Sequence, residues 1–365
     1  MSEWQTFCLK DLGKIVGGAT PSTNNPKNYG NKIAWITPKD LSTLQGRYIK
    51  KGSRSISRLG FKSCSCVLLP KHAILFSSRA PIGYVAIAEK RLCTNQGFKS
   101  IIPNKKIYFE FLYYLLKYHK DNISNIGGGT TFKEVSGATL SLFKVKIPPT
   151  YYEQQKIART LSVLDQKIEN NHKINELLHT LAYKIYEYYF KYKPKNAKLE
   201  QIIIENPKSS IMVKNAQKTQ DKYPFFTSGD NILSYPKAII DGRNCFLNTG
   251  GNAGIKFYVG KASYSTDTWC ICANEFSDYL YLLLSSIKTH VNQSFFQGTS
   301  LKHLQKNLLK KYPIYMPSAH EIKKFNQIIM PLLTLISINT RTSKKLEQIR
   351  DFLLPLLLKQ QVKPK

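Results

Sequence analysis

The chain starts two long helical patterns with the same motif, and the two copies stand 168 residues apart. The segment Thr150–Glu153 follows Pro149, and the segment Ser318–Glu321 follows Pro317. Both are capping boxes, in which a hydroxyl side chain and a Glu three residues later satisfy the free backbone N–H groups at a helix start. The repeat therefore predicts a chain built twice around a pair of long helices.

Behind each motif, a stripe of side chains recurs at spacings that alternate between four and three. This is the a/d pattern of a coiled-coil seam. The first seam comprises Ile157, Leu161, Leu164, Ile168, Asn171, Asn175, Leu178, Ala182, Ile185 and Tyr189. The second seam comprises Phe325, Ile329, Leu332, Ile336, Asn339, Ser343, Leu346, Arg350, Leu353 and Leu357.

The middle of each seam is polar, with Asn171 and Asn175 in the first and Asn339 in the second. In an antiparallel pair, which the duplicated layout requires, these side chains meet and fix the register. The alternative is that they lie on a frayed, solvated face. Pro331 and Pro355 in the second helix are expected to bend or interrupt it.

Loop motifs upstream of the helices also recur in one order. At offsets of 171 to 169 residues, the matching pairs are 77–83 with 248–254, 94–98 with 265–269, and 129–133 with 298–302. Between the loops of the first half, the patterns predict strands at 33–36, 66–69, 73–76 and 84–88 and a helix near 108–118. Upstream of residue 254 the second half is roughly 20 residues shorter.

These patterns predict an α+β fold with an internal pseudo-two-fold repeat. Two globular mixed α/β domains are separated by two long antiparallel helices that form a coiled coil. The predicted boundaries are a first globular domain at 1–151, a central helical spacer at 152–192, a second globular domain at 193–318, and a C-terminal helical spacer at 319–362.

The charge balance points to a polyanionic partner. Lys and Arg total 54 against 23 Asp and Glu, a formal net charge of +31. Nucleic acid is the leading candidate, because neutralising phosphates releases counterions; the alternative is a lysine-rich proteome in which every surface is basic. The arrangement of the two halves makes double-stranded DNA the expected form. We expect no membrane association and a cytoplasmic location, since no apolar window approaches about 18 residues and the first residues lack a signal-peptide core. Seven cysteines without a secretory signal argue against a disulfide framework.

Two globular halves on one pair of helices suit a DNA-binding geometry. Dimeric DNA-binding proteins place two readers about one helical turn apart through two-fold symmetry. Here one chain carries both halves with different sequences, so the target is expected to be bipartite and asymmetric.

Several motifs set this chain apart from a generic basic protein. They are the turn 17–21 followed by 33–41, the loop 94–98, and the stretch from Gly129 through Pro149 to Ile157. Together they resemble the specificity subunit of type I restriction–modification systems, over essentially the whole chain. The second half departs from the pattern, since it lacks the Trp-Ile-Thr-Pro-Lys-Asp block of 35–40 and Glu321–Phe325 matches only loosely.

The resemblance implies two target-recognition domains, each reading one part of a split DNA sequence. It implies that the helices act as a spacer and dock two methyltransferase subunits, and through them the restriction subunits. S-adenosylmethionine would belong to the methyltransferase, and ATP and Mg to the restriction subunit, so no cofactor is expected in this chain. The predicted docking and coiled-coil residues are Ile157, Leu161, Leu164, Ile168, Asn171, Leu178, Ile185, Phe325, Ile329, Leu332, Ile336, Asn339, Leu346 and Leu353.

The sequence favours a non-catalytic subunit. It has no Asn/Asp-Pro-Pro-Tyr/Phe motif of an adenine methyltransferase and no G-x-x-x-x-G-K-[ST] phosphate loop, and no metal ligand set is apparent. Three alternatives stay open: the recognition part of a combined methyltransferase–endonuclease, a nonspecific DNA- or RNA-binding scaffold, and a stand-alone nuclease.

Candidate DNA contacts are polar or basic residues of the recurring loops, and plain turn stabilisation is the alternative for each. Lys133 and Lys302 suit phosphate contacts, Arg79 suits a guanine edge, and Asn95 suits adenine or phosphate. The full set is Lys39, Ser78, Arg79, Asn95, Gln96, Thr130, Thr131 and Lys133 in the first half, and Thr249, Asn252, Thr266, Asp267, Ser300 and Lys302 in the second.

Overall fold

A computed structural model describes residues 3–129, 133–216 and 222–364. Thr130 and Thr131, two of the predicted DNA contacts, lie outside these ranges.

The strands are short and the helices are of two very different lengths. The strands are β1 Gln5–Cys8, β2 Gly13–Gly17, β3 Tyr29–Ile36, β4 Tyr48–Ile49, β5 Arg54–Ile56, β6 Ile74–Phe76, β7 Val85–Ala88, β8 Cys93–Thr94, β9 Lys99–Pro103, β10 Lys144–Ile147, β11 Ala197–Lys198, β12 Ile204–Glu205, β13 Tyr223–Phe226, β14 Leu233–Tyr235, β15 Arg243–Asn248, β16 Ile255–Val259, β17 Ser263–Tyr264, β18 Thr268–Cys272, β19 Phe296–Gln297, β20 His303–Leu304 and β21 Pro313–Ile314. The α-helices are α1 Leu9–Leu12, α2 Pro38–Ser42, α3 Arg58–Lys62, α4 Phe109–Asn125, α5 Gly137–Leu142, α6 Tyr151–Tyr186, α7 Ser277–Ser286, α8 Lys288–Ser294, α9 Lys306–Lys310 and α10 Ala319–Leu358.

The two long helices start at the repeated motifs. At α6, the backbone N–H of Glu153 donates to Thr150 Oγ1 at 3.2 Å. At α10, the backbone N–H of Glu321 donates to Ser318 Oγ at 3.3 Å, and that of Ser318 donates to Glu321 Oε2 at 2.9 Å. Helix α6 covers 36 residues and continues as a π-helical turn at Glu187–Lys191.

Helix α10 covers 40 residues, and along this described length neither Pro331 nor Pro355 interrupts it. A proline leaves one carbonyl four residues earlier without its helical partner. For Pro331 that carbonyl belongs to Gln327, and both residues lie on the exposed face where water reaches them. The buried Ile329 and Leu333 hold the turn in place.

By internal packing the chain divides into unit 1, Met1–Glu169 with Lys345–Lys365, and unit 2, Asn170–Lys344. The division cuts through both long helices. Each unit therefore contains one end of α6 and one end of α10. The four domain boundaries predicted from the sequence repeat follow sequence similarity and not internal packing. They therefore stay a prediction.

Unit 1 is built on a five-stranded sheet in the order β2-β9-β6-β7-β4 and a three-stranded sheet in the order β5-β3-β8. Helix α4 packs on β6 and β7 with an unbroken buried run at 111–116. The same core includes Leu161 of α6 and Leu357 of α10, both almost fully buried. Burying a Leu side chain stabilises a fold by about 1.5–3 kcal/mol, so both helix ends are part of this unit's core.

Unit 2 has a four-stranded sheet in the order β12-β18-β15-β16 and a three-stranded sheet in the order β14-β13-β17. Helix α7 packs on β15 and is buried from Ser277 to Leu284. Phe190, from the π-helical turn, lies edge-on to Phe325 of α10 with 4.9 Å between ring centroids. Aromatic pairs of this kind join the helices to the core of the unit.

The two units repeat one strand arrangement. In unit 1, β3 pairs with β8 in parallel and with β5 antiparallel. In unit 2, β13 pairs in the same way with β17 and β14. Likewise β6 lies between β7 and β9, and β15 lies between β16 and β18. The predicted internal repeat is confirmed in the sheet topology.

Strand pairing moves one predicted match by a residue. Ile36 of β3 pairs with Thr94 of β8, and Phe226 of β13 pairs with Tyr264 of β17. The loop 94–98 therefore corresponds to 264–268, one position before the 265–269 expected from sequence.

The block at 35–40 that the second half was expected to lack has a structural counterpart at 225–230. Phe225 and Phe226 take the place of Trp35 and Ile36 beside the parallel strand, and Thr-x-x-Asp follows in both units. The missing residues lie downstream, where unit 1 has α2, β4, β5 and α3 and unit 2 has β14. The deletion lies between this block and β15. The constant offset that matches the later loops therefore does not match this block.

Within each unit the long helices run antiparallel. In unit 2, Asn171 Nδ2 donates to Ser343 Oγ at 3.1 Å and Asn339 Nδ2 donates to Asn175 Oδ1 at 2.9 Å. In unit 1, Arg350 Nη1 lies 2.7 Å from Asp165 Oδ1. Higher numbers on α6 face lower numbers on α10, which confirms the antiparallel coiled coil and its polar layer.

The seam residues are buried to different degrees. Buried are Ile157, Leu161, Ile168, Asn171, Phe325, Ile329 and Ile336. Half-buried are Leu164, Leu178, Ile185, Leu332, Asn339, Leu346 and Leu353. All of these seam side chains thus face the interior of their own unit at least in part.

Most predicted elements of unit 1 are present. The stretches 33–36, 73–76 and 84–88 lie in or around β3, β6 and β7, and the helix near 108–118 is α4. The exception is 66–69, a described stretch whose one pairing is a single bridge from Leu69 to Leu92. Its alternating pattern is explained by Cys66, which is buried in a cluster with Trp35 and Cys93.

Candidate nucleic-acid interface

Loops of unit 1 are joined by backbone hydrogen bonds into one surface, called loop cluster 1. It comprises residues 17–20, 37–40, 77–81, 94–98 and 133–135. The bonds run from Ala19 N to Thr94 O at 3.0 Å, from Asn95 N to Ile36 O at 2.9 Å, from Ser78 N to Gly97 O at 2.8 Å, and from Val135 N to Ser78 O at 3.0 Å. The loops that recur in the sequence thus meet in the fold.

Two local features explain why this sequence forms the cluster. A Cβ on Gly18 would lie 2.0 Å from the carbonyl oxygen of Asn95, so the turn at 17–20 requires glycine for its close approach. Asp40 accepts hydrogen bonds from the backbone N–H of Thr37 at 2.8 Å and of Ser53 at 2.7 Å. Burial acts to raise the pKa of Asp40, but these bonds outweigh it and hold that pKa below its usual value.

Arg79 and Glu134 of loop cluster 1 form a charged group with Lys99, the first residue of β9. Glu134 Oε2 is 3.5 Å from Arg79 Nη1, and Glu134 Oε1 is 3.4 Å from Lys99 Nζ. The backbone of Glu134 exchanges two hydrogen bonds with Gly128, at 2.8 and 3.1 Å. The carboxylate is therefore held in place between two cations.

The predicted contacts of unit 1 differ in accessibility. Lys39, Gln96 and Lys133 are exposed, and Arg79 and Asn95 are half-buried. Ser78 is completely buried, and its Oγ has no hydrogen-bond partner among the described residues. In this conformation Ser78 joins loops through its backbone, and its hydroxyl is not accessible to DNA.

Unit 2 has a matching surface, loop cluster 2, which comprises residues 227–230, 248–254, 264–268 and 297–304. The bonds run from Ser265 N to Phe226 O at 2.9 Å, from Thr249 N to Asp267 O at 3.3 Å, from Leu304 N to Thr249 O at 3.0 Å, and from Gly251 N to Lys302 O at 2.9 Å. The bonds Ser265–Phe226 and Leu304–Thr249 repeat the bonds Asn95–Ile36 and Val135–Ser78 of unit 1.

The predicted contacts of unit 2 all lie on loop cluster 2. Exposed are Asn252, Thr266, Asp267, Ser300 and Lys302. Thr249 is half-buried, and its Oγ1 donates to the Asp267 carbonyl at 2.7 Å. The surface therefore offers hydroxyl, amide, carboxylate and ammonium groups to a ligand.

The charged group of unit 1 has no charged equivalent at the matching positions of unit 2. Aligning the shared backbone bonds places Gly250 at the position of Arg79, Trp269 at that of Lys99, and His303 at that of Glu134. The bridge between Gly128 and Glu134 is likewise repeated by the pairing of Gln297 with His303. The backbone frame is shared, and the side chains differ.

Sequence reasoning missed two residues of loop cluster 2. Thr227 and Asp230 occupy the positions of Thr37 and Asp40, and their Thr-x-x-Asp spacing is the signal that could have found them. Lys256 lies beneath them and donates to Thr227 O at 2.8 Å and to Asn248 Oδ1 at 3.1 Å. Burial lowers the pKa of this lysine below its usual value.

Each unit also contains an arginine, buried in unit 1 and half-buried in unit 2, that joins a sheet or α4 to the long helices. In unit 1, Arg47 lies 3.0 Å from Glu110 of α4 and 3.1 Å from Glu169 of α6. In unit 2, Arg243 of β15 makes a bidentate pair with Asp278 and donates to Thr334 of α10 at 3.0 Å. Burial raises the pKa of Asp278 in spite of this pair. The arginines therefore join the globular part of each unit to its long helices.

A second apolar stripe lies on the outer face of α6 in unit 2. It consists of Ile174, Leu177 and Leu181, whose spacings of three and four place them on one face of α6, together with Tyr188 in the π-helical turn that follows. Leu177 is 70% and Tyr188 86% exposed. We call this set the outer stripe.

Other chemistry is sparse in the part of the chain that the structure describes. Its seven cysteines are free thiols, and no group of three or more His, Cys, Asp or Glu side chains there could hold a metal ion. Among the described helices, none combines the length and the hydropathy that crossing a membrane requires.

Comparison with known proteins assigns the family. The family model of the type I restriction modification DNA specificity domain matches residues 1–180 and again 195–348. The chain therefore belongs to the family of type I restriction–modification DNA specificity subunits. The two matches fall on the two halves of the internal repeat.

Individual relatives agree with this assignment. The chain is 32% identical, over 98% of its length and 93% of the relative, to the type I restriction enzyme MjaIX specificity subunit of Methanocaldococcus jannaschii. It is 32% identical to the HindI specificity subunit of Haemophilus influenzae over 46% of this chain and 37% of that protein. A crystal structure of the type I restriction-modification system S subunit from M. genitalium shares the fold, with a TM-score of 0.63 at 18% identity over 97% of this chain and 96% of that chain.

Proposed function

We propose that this chain is a non-catalytic DNA-recognition subunit that reads a bipartite, asymmetric duplex sequence and directs methyltransferase subunits to it. Loop clusters 1 and 2 each read one half of the target. S-adenosylmethionine is used by the methyltransferase, and ATP and Mg by restriction subunits that join through it, in the cytoplasm.

The observation that carries the proposal is the pair of loop clusters with one backbone frame and different side chains. A symmetric dimer presents the same side chains twice and reads a palindrome. Here Arg79 in one cluster is matched by Gly250 in the other. The two clusters therefore suit two different base sequences, and the formal charge of +31 favours binding to phosphate.

The test is to co-express the chain with its methyltransferase subunit and to map methylated bases across the host genome. We expect one motif with two unlike halves and a gap of fixed length. The control is the methyltransferase expressed without this chain, which should leave the motif unmethylated. A palindromic or uninterrupted motif, or none, would contradict the proposal.

The same preparation separates the alternatives. A nonspecific scaffold would bind duplexes of all sequences, or RNA, with equal affinity. A stand-alone nuclease would cut DNA with a divalent metal and no partner. We expect the purified chain to neither cut nor methylate DNA, and to prefer duplexes that carry the mapped motif.

For methyltransferase docking we propose the outer stripe instead of the coiled-coil seam. Half of the seam side chains, Leu161 and Ile329 among them, are buried inside their own units and are not free to meet a partner. Leu177 and Tyr188 face solvent. Exposed aromatic residues beside apolar neighbours are frequent centres of binding energy in protein interfaces.

A charge on the outer stripe tests this docking surface. Leu177→Asp should abolish co-purification of the methyltransferase while binding of the chain to DNA is retained. The matched control is Leu59→Asp, the same change at a leucine of α3 that is 50% exposed. Undiminished co-purification with Leu177→Asp would show that the partner binds elsewhere.

A further inference from the structure

We infer that Glu134 is a specificity-determining residue that withholds Arg79 from phosphate and releases it to a guanine edge. The inference rests on the proposed function, because it assigns a role within loop cluster 1. It differs from that proposal in making a carboxylate, not a cation, the residue that separates the correct sequence from all others.

A carboxylate at this place is unfavourable for simple DNA binding. The Glu134 carboxylate repels phosphate, and it lies among Arg79, Lys99 and the exposed Lys133. These three cations would otherwise attract phosphate. Sequence-independent affinity comes almost entirely from such cations. A residue that neutralises two of these cations lowers affinity for every DNA sequence. This is a benefit only if the correct sequence restores the contact between a cation and DNA.

The pair between Arg79 and Glu134 has the properties of an exchangeable contact. The two side chains remain 38% and 35% exposed, and their nearest charged atoms are 3.5 Å apart. Exposed ion pairs of this kind contribute little stability. A guanine edge offers two acceptors, O6 and N7, in the plane of the guanidinium fork, whereas a phosphate of the backbone carries no sequence information. The bidentate base contact can therefore displace the carboxylate.

Lys99 explains why the exchange does not leave a bare negative charge against DNA. It lies 3.4 Å from the other carboxylate oxygen and is 21% exposed, less than Arg79. When Arg79 leaves, Glu134 keeps this second cation. The backbone of Glu134 is held by its two bonds to Gly128, so the carboxylate stays in position for the return of Arg79.

The test uses the full chain and two DNA probes: a duplex selected by the wild type from a random library, and a random-sequence duplex of the same length. Glu134→Gln should strengthen binding to the random duplex and lower the ratio of specific to nonspecific affinity. The salt dependence of nonspecific binding should steepen by about 0.9 for each released cation that meets a phosphate. With Arg79 as the released cation, the nonspecific affinity of the variant relative to wild type should then grow by about 3.5-fold between 200 and 50 mM salt.

Two further variants isolate the mechanism. Glu89→Gln removes the same charge from an exposed residue directly after β7, outside loop cluster 1. It should leave the ratio of specific to nonspecific affinity unchanged. In the double variant Arg79→Ala with Glu134→Gln, most of the nonspecific gain should disappear, because the gain depends on the freed guanidinium. A gain that persists without Arg79 would mean general repulsion by Glu134 and would overturn the inference.

Other outcomes are equally decisive. If Glu134→Gln leaves nonspecific binding and its salt dependence unchanged, or lowers specific affinity alone, Glu134 does not withhold Arg79. A wild-type chain that selects no sequence from the library would overturn the proposed function, and this inference with it. Thermal unfolding of each variant, expected to match wild type, confirms that the fold is retained.

Discussion

Loop clusters 1 and 2 are built on the same backbone bonds, yet their side chains have little in common. The bond from Val135 to Ser78 recurs as the bond from Leu304 to Thr249. On that frame, unit 1 has a charged group, and the matching positions of unit 2 hold a glycine, a buried indole and an imidazole. The difference teaches that the loops are held by main-chain contacts that depend little on side-chain identity. Each surface can therefore change its side chains without losing its shape.

The largest expected contrast concerns Arg47 and Arg243, the arginines that contact the long helices. Arg243→Ala leaves Asp278 buried without its ion-pair partner, which should destabilise unit 2 by about 3–5 kcal/mol. Arg47→Ala should cost unit 1 roughly half as much, because Asp165 keeps Arg350 and Glu110 keeps Tyr48 and Tyr108.

Urea titration followed by hydrogen exchange in α4 peptides and α7 peptides measures the two units separately. The control, exposed Arg58→Ala, should shift neither unit by more than about 0.5 kcal/mol. Equal losses in the two units would show that the larger network of unit 1 offers no redundancy.

A smaller contrast is expected from making alanine at one matching position in both loop clusters. Arg79→Ala should weaken binding to the selected duplex by about 1–3 kcal/mol and relax discrimination at one base pair. Gly250→Ala should change affinity by less than about 0.5 kcal/mol, because the new Cβ would have its nearest neighbour 3.9 Å away. Binding to a set of single-base variants of the duplex measures both. A loss at Gly250 as large as at Arg79 would mean that the clusters read DNA through their backbones.

The smallest effect is one that should be alike in the two units. Lys133→Ala and Lys302→Ala each remove an exposed ammonium group from the same place in the frame. Each should reduce the slope of log affinity against log salt by about 0.9 and weaken all sequences equally. Lys90→Ala, at an exposed site outside the loop clusters, serves as the control. A loss that depends on sequence would reassign either lysine from phosphate to base contact.

The helices and the coiled coil were predictable because their signals are local and periodic. Capping boxes lie within four residues, and the alternation of four and three repeats over ten positions in each seam. The same reasoning placed most of the loops that meet in the fold. The pattern alone could not show that Cys66 lies in an irregular segment. Buried and exposed side chains alternate there as they do in a strand.

The rest depends on contacts between residues far apart in the chain. Arg47 meets Glu169, 122 positions away, and no spacing rule connects them. The counterpart of the 35–40 block was missed because a deletion of roughly 20 residues shifts it out of the constant offset. The burial of Ser78 follows from three-dimensional packing, although its loop was located correctly. Long-range pairing and insertions are thus where sequence reasoning ends.

The division of α10 between the units has a consequence for biosynthesis. Leu354, Leu357 and Leu358 belong to the core of unit 1, yet the ribosome adds them after it has made the whole of unit 2. The part of the unit 1 core that these leucines fill is therefore completed only after about 185 further residues of synthesis, and the apolar surface that they cover stays open to chaperones for that time. A transcript cut short before residue 354 yields a chain whose first half is never completed, so quality control can remove it before it reaches DNA.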